Sequence, residues 1–306
     1  SSEFNERRFG RIFLVVILGG EMSDNSENRS LPVIDYGSPG CDEAFVASLR
    51  TFGFAAFSNH PLDTGLIQKI YRDWRAFFAT QNKFAYAMDR EKQDGYFSLE
   101  QAEHAKGFAL RDFKEYYHYY PWGRCPESLK ADLECYYDQA VEFAKTLLIW
   151  VEQYSPLDVS QCFSESLSAM IEASQQSLLR VLHYPPMTAG QQQLPRAAPH
   201  EDINFLTILP AADGPGLKIM SQEGDWIDVP NRPDQVLINI GDMLQEVSAG
   251  YFPSTTHQVA TPSGEELSQG RMSLPLFLHP RPEVVLSPRH TAESYLHERL
   301  LELGVA

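Results

Sequence analysis

The sequence predicts a mainly β protein with flanking helices, on three observations. From Ser177 onward the chain falls into short β-branched, alternating runs, at 177–184, 203–209, 235–240 and 271–278. Ahead of them, the stretches 63–80 and 126–154 carry apolar residues at spacings of three and four, the signature of amphipathic helices. Thr291 to Leu303 repeats that spacing at the end of the chain. With 306 residues, the chain can bury a sizeable core as one large domain or two intimate ones.

Taken in order, Leu31–Tyr36 reads as a short strand, with a turn at Gly37–Gly40. Asp42 is placed to cap a helix running to about Thr51, with Phe45, Leu49 and Phe52 on one face. Gly53–Pro61 reads as a strand into a turn. The helix 63–80 presents Leu66, Ile67, Ile70, Tyr71, Trp74, Phe77 and Phe78 as its buried stripe. Pro126 opens the helix 126–154, whose face is Leu133, Tyr137, Val141, Ala144 and Leu148, and Ser155-Pro156 ends it. A further short helix is expected over Phe163–Gln175. In the strand from Ser177, Arg180, Leu182 and Tyr184 share one face and Val181 and His183 the other. Lys218, Trp226 and Asp228 flank a hairpin turn at Glu223-Gly224, and Gln235–Ile240 is a strand leading into Gly241-Asp242. Thr261–Gly270 is a long polar hairpin turn, and the last helix packs through Leu296, Leu300 and Leu303.

Composition narrows the function. The net charge of −16, from 41 acidic and 25 basic residues, argues against nucleic-acid and membrane partners, which need basic surfaces. The four cysteines, at 41, 125, 135 and 162, contain no Cys-x-x-Cys pair, so reduced thiols in a cytoplasmic setting are expected rather than a zinc ribbon. Residues 1–30 read as a leader outside the fold. Phe13–Leu18 is apolar but far short of the roughly 20 residues that span a bilayer, and Arg7-Arg8 with Gly19-Gly20 only mimics a signal peptide. Glu3-Phe4 can be encoded by a common cloning site, and Gly19-Gly20-Glu21 is what a translated ribosome-binding sequence yields. Residues 1–21 are therefore expected to be vector-derived, with Met22 as the native start.

The chemistry concentrates between His200 and Ser273. In a strand, residues i and i+2 point to one face, so His200 and Asp202 are expected to project an imidazole and a carboxylate together. His257, in Ser-Thr-Thr-His-Gln-Val, is the candidate third ligand. Two histidines and one carboxylate on one side of a metal leave the other positions open, as in the facial triad of non-haem Fe(II) oxygenases. His-x-Asp alone is a weak signal, equally readable as a surface pair after Pro199, although of nine histidines only His200 has an acidic residue two positions on. Arg271-x-Ser273 shifts the balance. A guanidinium fork reads a carboxylate bidentately and the hydroxyl adds a donor, the plainer reading being an ion pair at a sheet edge.

Further segments complete a series. Gly241-Asp242-Met243-Leu244-Gln245 resembles a Gly-Asp-x-Leu-Gln element, Ser177–Pro186 a strand carrying a co-substrate tyrosine, and Gly95-Tyr96-Phe97 and Asp112–Tyr117 the Gly-Tyr and Asp-x-Lys-Glu patterns of one family. In order, and over most of residues 31–287, the chain resembles the isopenicillin N synthase-like family of Fe(II)/2-oxoglutarate-dependent dioxygenases. The resemblance implies a double-stranded β-helix, or jelly roll, with helices on one side. Residues 31–155 would be the N-terminal helical and strand region, and 156–306 the jelly roll with its C-terminal helix. It implies Fe(II) on His200, Asp202 and His257, 2-oxoglutarate on Arg271, Ser273 and Tyr184, O2 as oxidant, and hydroxylation of a small organic molecule with release of succinate and CO2. Arg180, for an anionic group, Asn204, Phe277 and Tyr96 are the substrate-side candidates. The chain departs from the family at Pro61, where Gly is usual after Asn-His, so that His60 is expected to be structural and not a ligand, and at Leu182, where Asn is frequent and one polar contact is lost. Two alternatives stay open: an Fe(II) oxidase of the same fold that needs no 2-oxoglutarate, and a metal-binding module without turnover. Nothing in the sequence selects the substrate.

Overall fold

The structure, a computed structural model, describes residues 30–102 and 110–303. The leader, and with it the reading of residues 1–21, lies outside the described residues, as does the side chain of Leu303.

The first part of the chain runs β1 (Val33–Asp35), α1 (Cys41–Phe52), β2 (Phe54–Ser58), α2 (Thr64–Phe78), β3 (Gly95–Phe97), β4 (Glu115–Tyr119) and α3 (Glu127–Gln153). Two four-residue helices follow, α4 (Leu157–Ser160) and α5 (Leu167–Met170). The second part is strand-rich: β5 (Leu178–Tyr184), β6 (Ala197–His200), β7 (Leu206–Pro210), β8 (Leu217–Met220), β9 (Trp226–Asp228) and β10 (Gln235–Ile240). After α6 (Asp242–Val247) come β11 (His257–Val259), β12 (Arg271–Ser273), β13 (Leu276–Leu278) and α7 (Ala292–Leu303).

Among the described residues, nine strands form one sheet in the order β1-β2-β10-β7-β13-β5-β4-β3, with β12 also on β5; four more form a second sheet, β6-β11-β8-β9. Strands from before residue 155 pair with strands from after it, β2 with β10 and β4 with β5, so the two regions share a sheet. The large sheet is covered on one face by the helices. Alternation along β2 shows how: Ala55 and Phe57 join the core against α1–α3, while Phe54 and Ala56 join a smaller core that includes Leu217, Ile219 and Val259 of the second sheet. The fold is thus the expected jelly roll with helices on one outer side.

Most elements follow the sequence, and the exceptions have local causes. α2 starts at Asp63, whose side chain accepts from the Leu66 N–H as an N-cap should. α1 instead starts after Gly40, and Asp42 lies inside its first turn, where it meets the Tyr154 hydroxyl at 2.8 Å rather than capping. The helix expected over 163–175 shrinks to Leu167–Met170, followed by turn residues with Ala173 at φ 56°. Gly241-Asp242 opens the short helix α6 rather than a plain turn.

Candidate active site

His200 ends β6 and His257 begins β11, and the two are cross-strand partners in the second sheet. Their rings lie 4.4 Å apart. Asp202 was expected on the same strand as His200, but β6 stops at His200 and residues 201–205 form an irregular connection before β7. The carboxylate arrives at the same place by another route. Its Oδ1 lies 3.8 Å from His200 Nε2 and 3.7 Å from His257 Nε2, and one donor atom from each residue falls within 4.8 Å of the others. Among the described residues this is the one such cluster of three metal-ligating side chains.

Each member is held from behind. His200 Nδ1 donates to the Ala198 carbonyl at 2.8 Å, and His257 Nδ1 to the Thr255 carbonyl at 3.1 Å. A carbonyl can only accept, so each ring carries its proton on Nδ1 and turns the Nε2 lone pair inward. Asp202 Oδ2 accepts from Thr207 Oγ1 at 2.5 Å and Asn239 Nδ2 at 2.8 Å, which leaves Oδ1 to face the imidazoles. Thr207 and Asn239 are opposite each other in the β7–β10 pairing, so the sheet register itself aims the carboxylate. Burial would raise the Asp202 pKa, but His257, His200, Thr207 and Asn239 outweigh it and hold the carboxyl below its ordinary range. Burial and the neighbouring His257 push His200 down to about 4, so its imidazole is neutral at physiological pH. A buried carboxylate with two imidazole Nε2 atoms turned toward it is the donor set that a divalent iron takes. His60, expected to be structural, is not part of the cluster.

The candidate clamp lies on the large sheet. β12 pairs with β5 so that Arg271 faces Tyr184 and Ser273 faces Leu182. All three proposed contacts, Arg271, Ser273 and Tyr184, are buried. Arg271 Cζ sits 5.2 Å from the centre of the Tyr184 ring. Arg271 Nε donates to the Gly214 carbonyl, whereas its Nη1 is buried without a hydrogen-bond partner. A buried guanidinium N–H left unpaired is costly, and a ligand carboxylate would satisfy it.

The substrate-side candidates divide. Arg180 and Phe277 do share the inner face: the guanidinium lies 5.2 Å from the Phe277 ring and 4.5 Å from Tyr116, and Nε donates to His118 Nε2. Tyr96 points the other way. It belongs to the helix-side core and donates to Glu115 Oε2 at 2.6 Å, because β3 alternates and it is Phe97 that faces inward, stacked 4.7 Å from Tyr116. Asn204 is buried, and its amide nitrogen donates to the Leu206 carbonyl and to Thr207 Oγ1. It thus braces the residue that holds Asp202.

Sequence reasoning missed Thr207, Asn239 and Arg196, while Phe97 and Tyr116, which it placed near the mouth of the site beside Tyr96, do face inward. The available signal for the first two was a polar residue inside each apolar run, Phe-Leu-Thr-Ile-Leu and Val-Leu-Ile-Asn-Ile, where a buried side chain needs a polar partner.

Comparison with known proteins agrees with this geometry. Residues 175–280 match the model of the 2OG-Fe(II) oxygenase superfamily, and residues 31–139 that of the non-haem dioxygenase in morphine synthesis N-terminal region. Flavanone 3-dioxygenase 2 of Oryza sativa subsp. japonica is 30% identical over 277 residues, covering 84% of this chain and 76% of the relative. The crystal structure of a Shewanella oneidensis protein described as an oxygenase superposes with a TM-score of 0.83 at 50% identity, covering 90% of this chain and 100% of that one. The fold is shared with a full-length Neurospora crassa protein solved in complex with alpha-KG, at a TM-score of 0.74 and 21% identity over 90% of this chain and 98% of that one. The chain belongs to the 2OG-Fe(II) oxygenase superfamily. It is a non-haem dioxygenase that uses Fe(II), 2-oxoglutarate and O2, which sets aside both alternative readings.

Proposed function

We propose that His200, Asp202 and His257 hold the Fe(II), that Arg271, Ser273 and Tyr184 bind 2-oxoglutarate, and that the enzyme hydroxylates a small organic molecule. The carrying observation is the convergence of two inward imidazole Nε2 atoms on Asp202 Oδ1. Held by His200, Asp202 and His257, Fe(II) would supply dioxygen activation coupled to oxidative decarboxylation of 2-oxoglutarate to succinate. The residues of this chain supply orientation. Thr207 and Asn239 occupy Asp202 Oδ2 and so present Oδ1; the Ala198 and Thr255 carbonyls keep both histidines in the ligating tautomer. Arg271 offers its unpaired Nη1 to the far carboxylate of the keto acid. Phe97, Tyr116, Arg180 and Phe277 form an aromatic wall around a cation on the same face, suited to a flat or acidic small molecule.

The surplus of acidic residues supports the reading that nucleic acid is not the partner, and among the described residues no helix is long and apolar enough to cross a membrane. The four cysteines are free, which supports a cytoplasmic setting. The matches at 31–139 and 175–280 support a division into an N-terminal region, 31–155, and a catalytic region, 156–306, joined through one sheet.

Succinate formation tests the reading. Wild type reconstituted with Fe(II) should convert 2-oxoglutarate to succinate, slowly without substrate and faster with one. Asp202→Ala should lose iron and turnover while retaining its fold by circular dichroism. Full iron occupancy and turnover in Asp202→Ala would contradict the triad.

A further inference from the structure

A second arginine lies buried against the same tyrosine ring as the first. Arg196 immediately precedes β6 and is 4% exposed; Arg271 is 3% exposed. Both guanidiniums lie against Tyr184, Arg271 Cζ at 5.2 Å from the ring centre and Arg196 Cζ at 6.0 Å. Their protein contacts are incomplete in the same way. Arg196 Nη2 donates to the Gln269 carbonyl and its Nε is buried without a partner; Arg271 Nε donates to the Gly214 carbonyl and its Nη1 is buried without a partner. Neither forms a salt bridge with a carboxylate among the described residues, although Glu266 is near enough to act on Arg196 through its charge. Arg271 also acts on Arg196 as a like charge, and together with burial this makes the Arg196 cation harder to hold.

Two buried cations that repel each other, each with a buried nitrogen lacking a partner, favour an anion that joins them. We infer that Arg196 is a second co-substrate-binding residue, and that the far carboxylate of 2-oxoglutarate is shared between Arg271 and Arg196 rather than held by Arg271 alone. This rests on the reading that 2-oxoglutarate binds at Arg271. One consequence is selectivity: a site with two cations discriminates strongly for a keto acid with a second carboxylate over one with an uncharged tail. Sequence inspection passes over Arg196 because it stands outside the Arg-x-Ser motif, in the loop-like Leu-Pro-Arg-Ala-Ala-Pro.

Calorimetric titration of the anaerobic Fe(II) protein tests this without turnover. Two ligands are compared, 2-oxoglutarate and 2-oxopentanoate, which replaces the far carboxylate by a methyl group. Arg196→Leu should weaken 2-oxoglutarate by about 10- to 100-fold and leave 2-oxopentanoate within about threefold. Arg196→Lys, which keeps the charge and most of the stem, should lose less than Arg196→Leu and serves if the leucine variant does not fold. If Arg271→Leu loses 2-oxoglutarate affinity while both Arg196 variants bind it like wild type, the shared carboxylate is refuted and the Arg271 site stands. If Arg271→Leu also binds like wild type, the co-substrate site itself is wrong. Equal weakening of both ligands by Arg196→Leu would assign Arg196 to packing alone and overturn the inference.

Discussion

Gly241 and Asn204 are in contact that no side chain on residue 241 would allow. A Cβ built at Gly241 would lie 2.1 Å from the Asn204 carbonyl oxygen and 2.2 Å from its Oδ1. The backbone there has φ −99°, which any residue adopts, so the requirement for glycine is one of space and not of conformation. The connection bearing Asp202 packs on the start of α6, where the Asp242 N–H donates to the Asp202 carbonyl at 2.7 Å. Gly241→Ala must therefore push the 201–205 segment away. The expected cost is about 1–3 kcal/mol of stability, read as a Tm lowered by several degrees, together with weaker iron binding. An alanine variant with wild-type Tm and iron affinity would show that the segment yields freely.

Removing the partners of Asp202 Oδ2 should loosen the metal without touching a ligand. Asn239→Ala takes away one hydrogen bond to Oδ2, and Thr207→Val takes away the other together with the bond that Thr207 Oγ1 accepts from Asn204. Each should weaken Fe(II) binding by about 10- to 100-fold, measured by competition with a metal indicator. Unchanged affinity in both would mean that the carboxylate needs no aiming.

Tyr96→Phe separates the helix-side core from the cavity. The variant loses a buried hydrogen bond to Glu115 and should cost about 1 kcal/mol of stability, while succinate formation stays at the wild-type rate. Normal stability with impaired turnover would return Tyr96 to the cavity mouth.

Glu115 should contribute to acid sensitivity. Burial raises its pKa, but His183, Lys83 and Tyr96, which all bond to it, outweigh that and hold the carboxyl below its ordinary value. A depressed pKa in the folded state adds stability that is present above the unfolded carboxylate range and is lost as pH falls through the folded value. Glu115→Gln should lower stability at neutral pH and flatten its decline below about pH 4.5. Denaturant midpoints across pH 3–7 give the comparison, and a parallel decline in both proteins would contradict the assignment.

Much of this was legible in the sequence, for reasons particular residues make plain. The stripe from Leu66 to Phe78 reports a helix because its period is set by one buried face, and Ile67, Ile70, Tyr71, Trp74, Phe77 and Phe78 are indeed buried there. Arg271 and Ser273 read correctly as sharing a face because β12 is regular between them. His200 and Asp202 read correctly as neighbours for the wrong reason, since the strand stops and a loop braced by Asn204, Thr207 and Gly241 brings the carboxylate round. Tyr96 against Phe97 was undecidable locally, because two adjacent aromatics in a three-residue strand carry no phase, and pairing with Tyr117 and Tyr116 sets it. Arg196 was invisible because its meaning depends on Arg271 and Tyr184 reaching it through tertiary structure.

The most direct measurement is a titration of the anaerobic Fe(II) protein with 2-oxoglutarate, followed through the visible absorption band that the keto acid gives on chelating iron. Wild type should develop the band and saturate. Arg271→Leu should need about 30- to 1000-fold more 2-oxoglutarate, the equivalent of roughly 2–4 kcal/mol for a buried charge-assisted contact, with iron content unchanged. Absence of the band in wild type, or an Arg271→Leu titration that overlays it, would contradict the site described here.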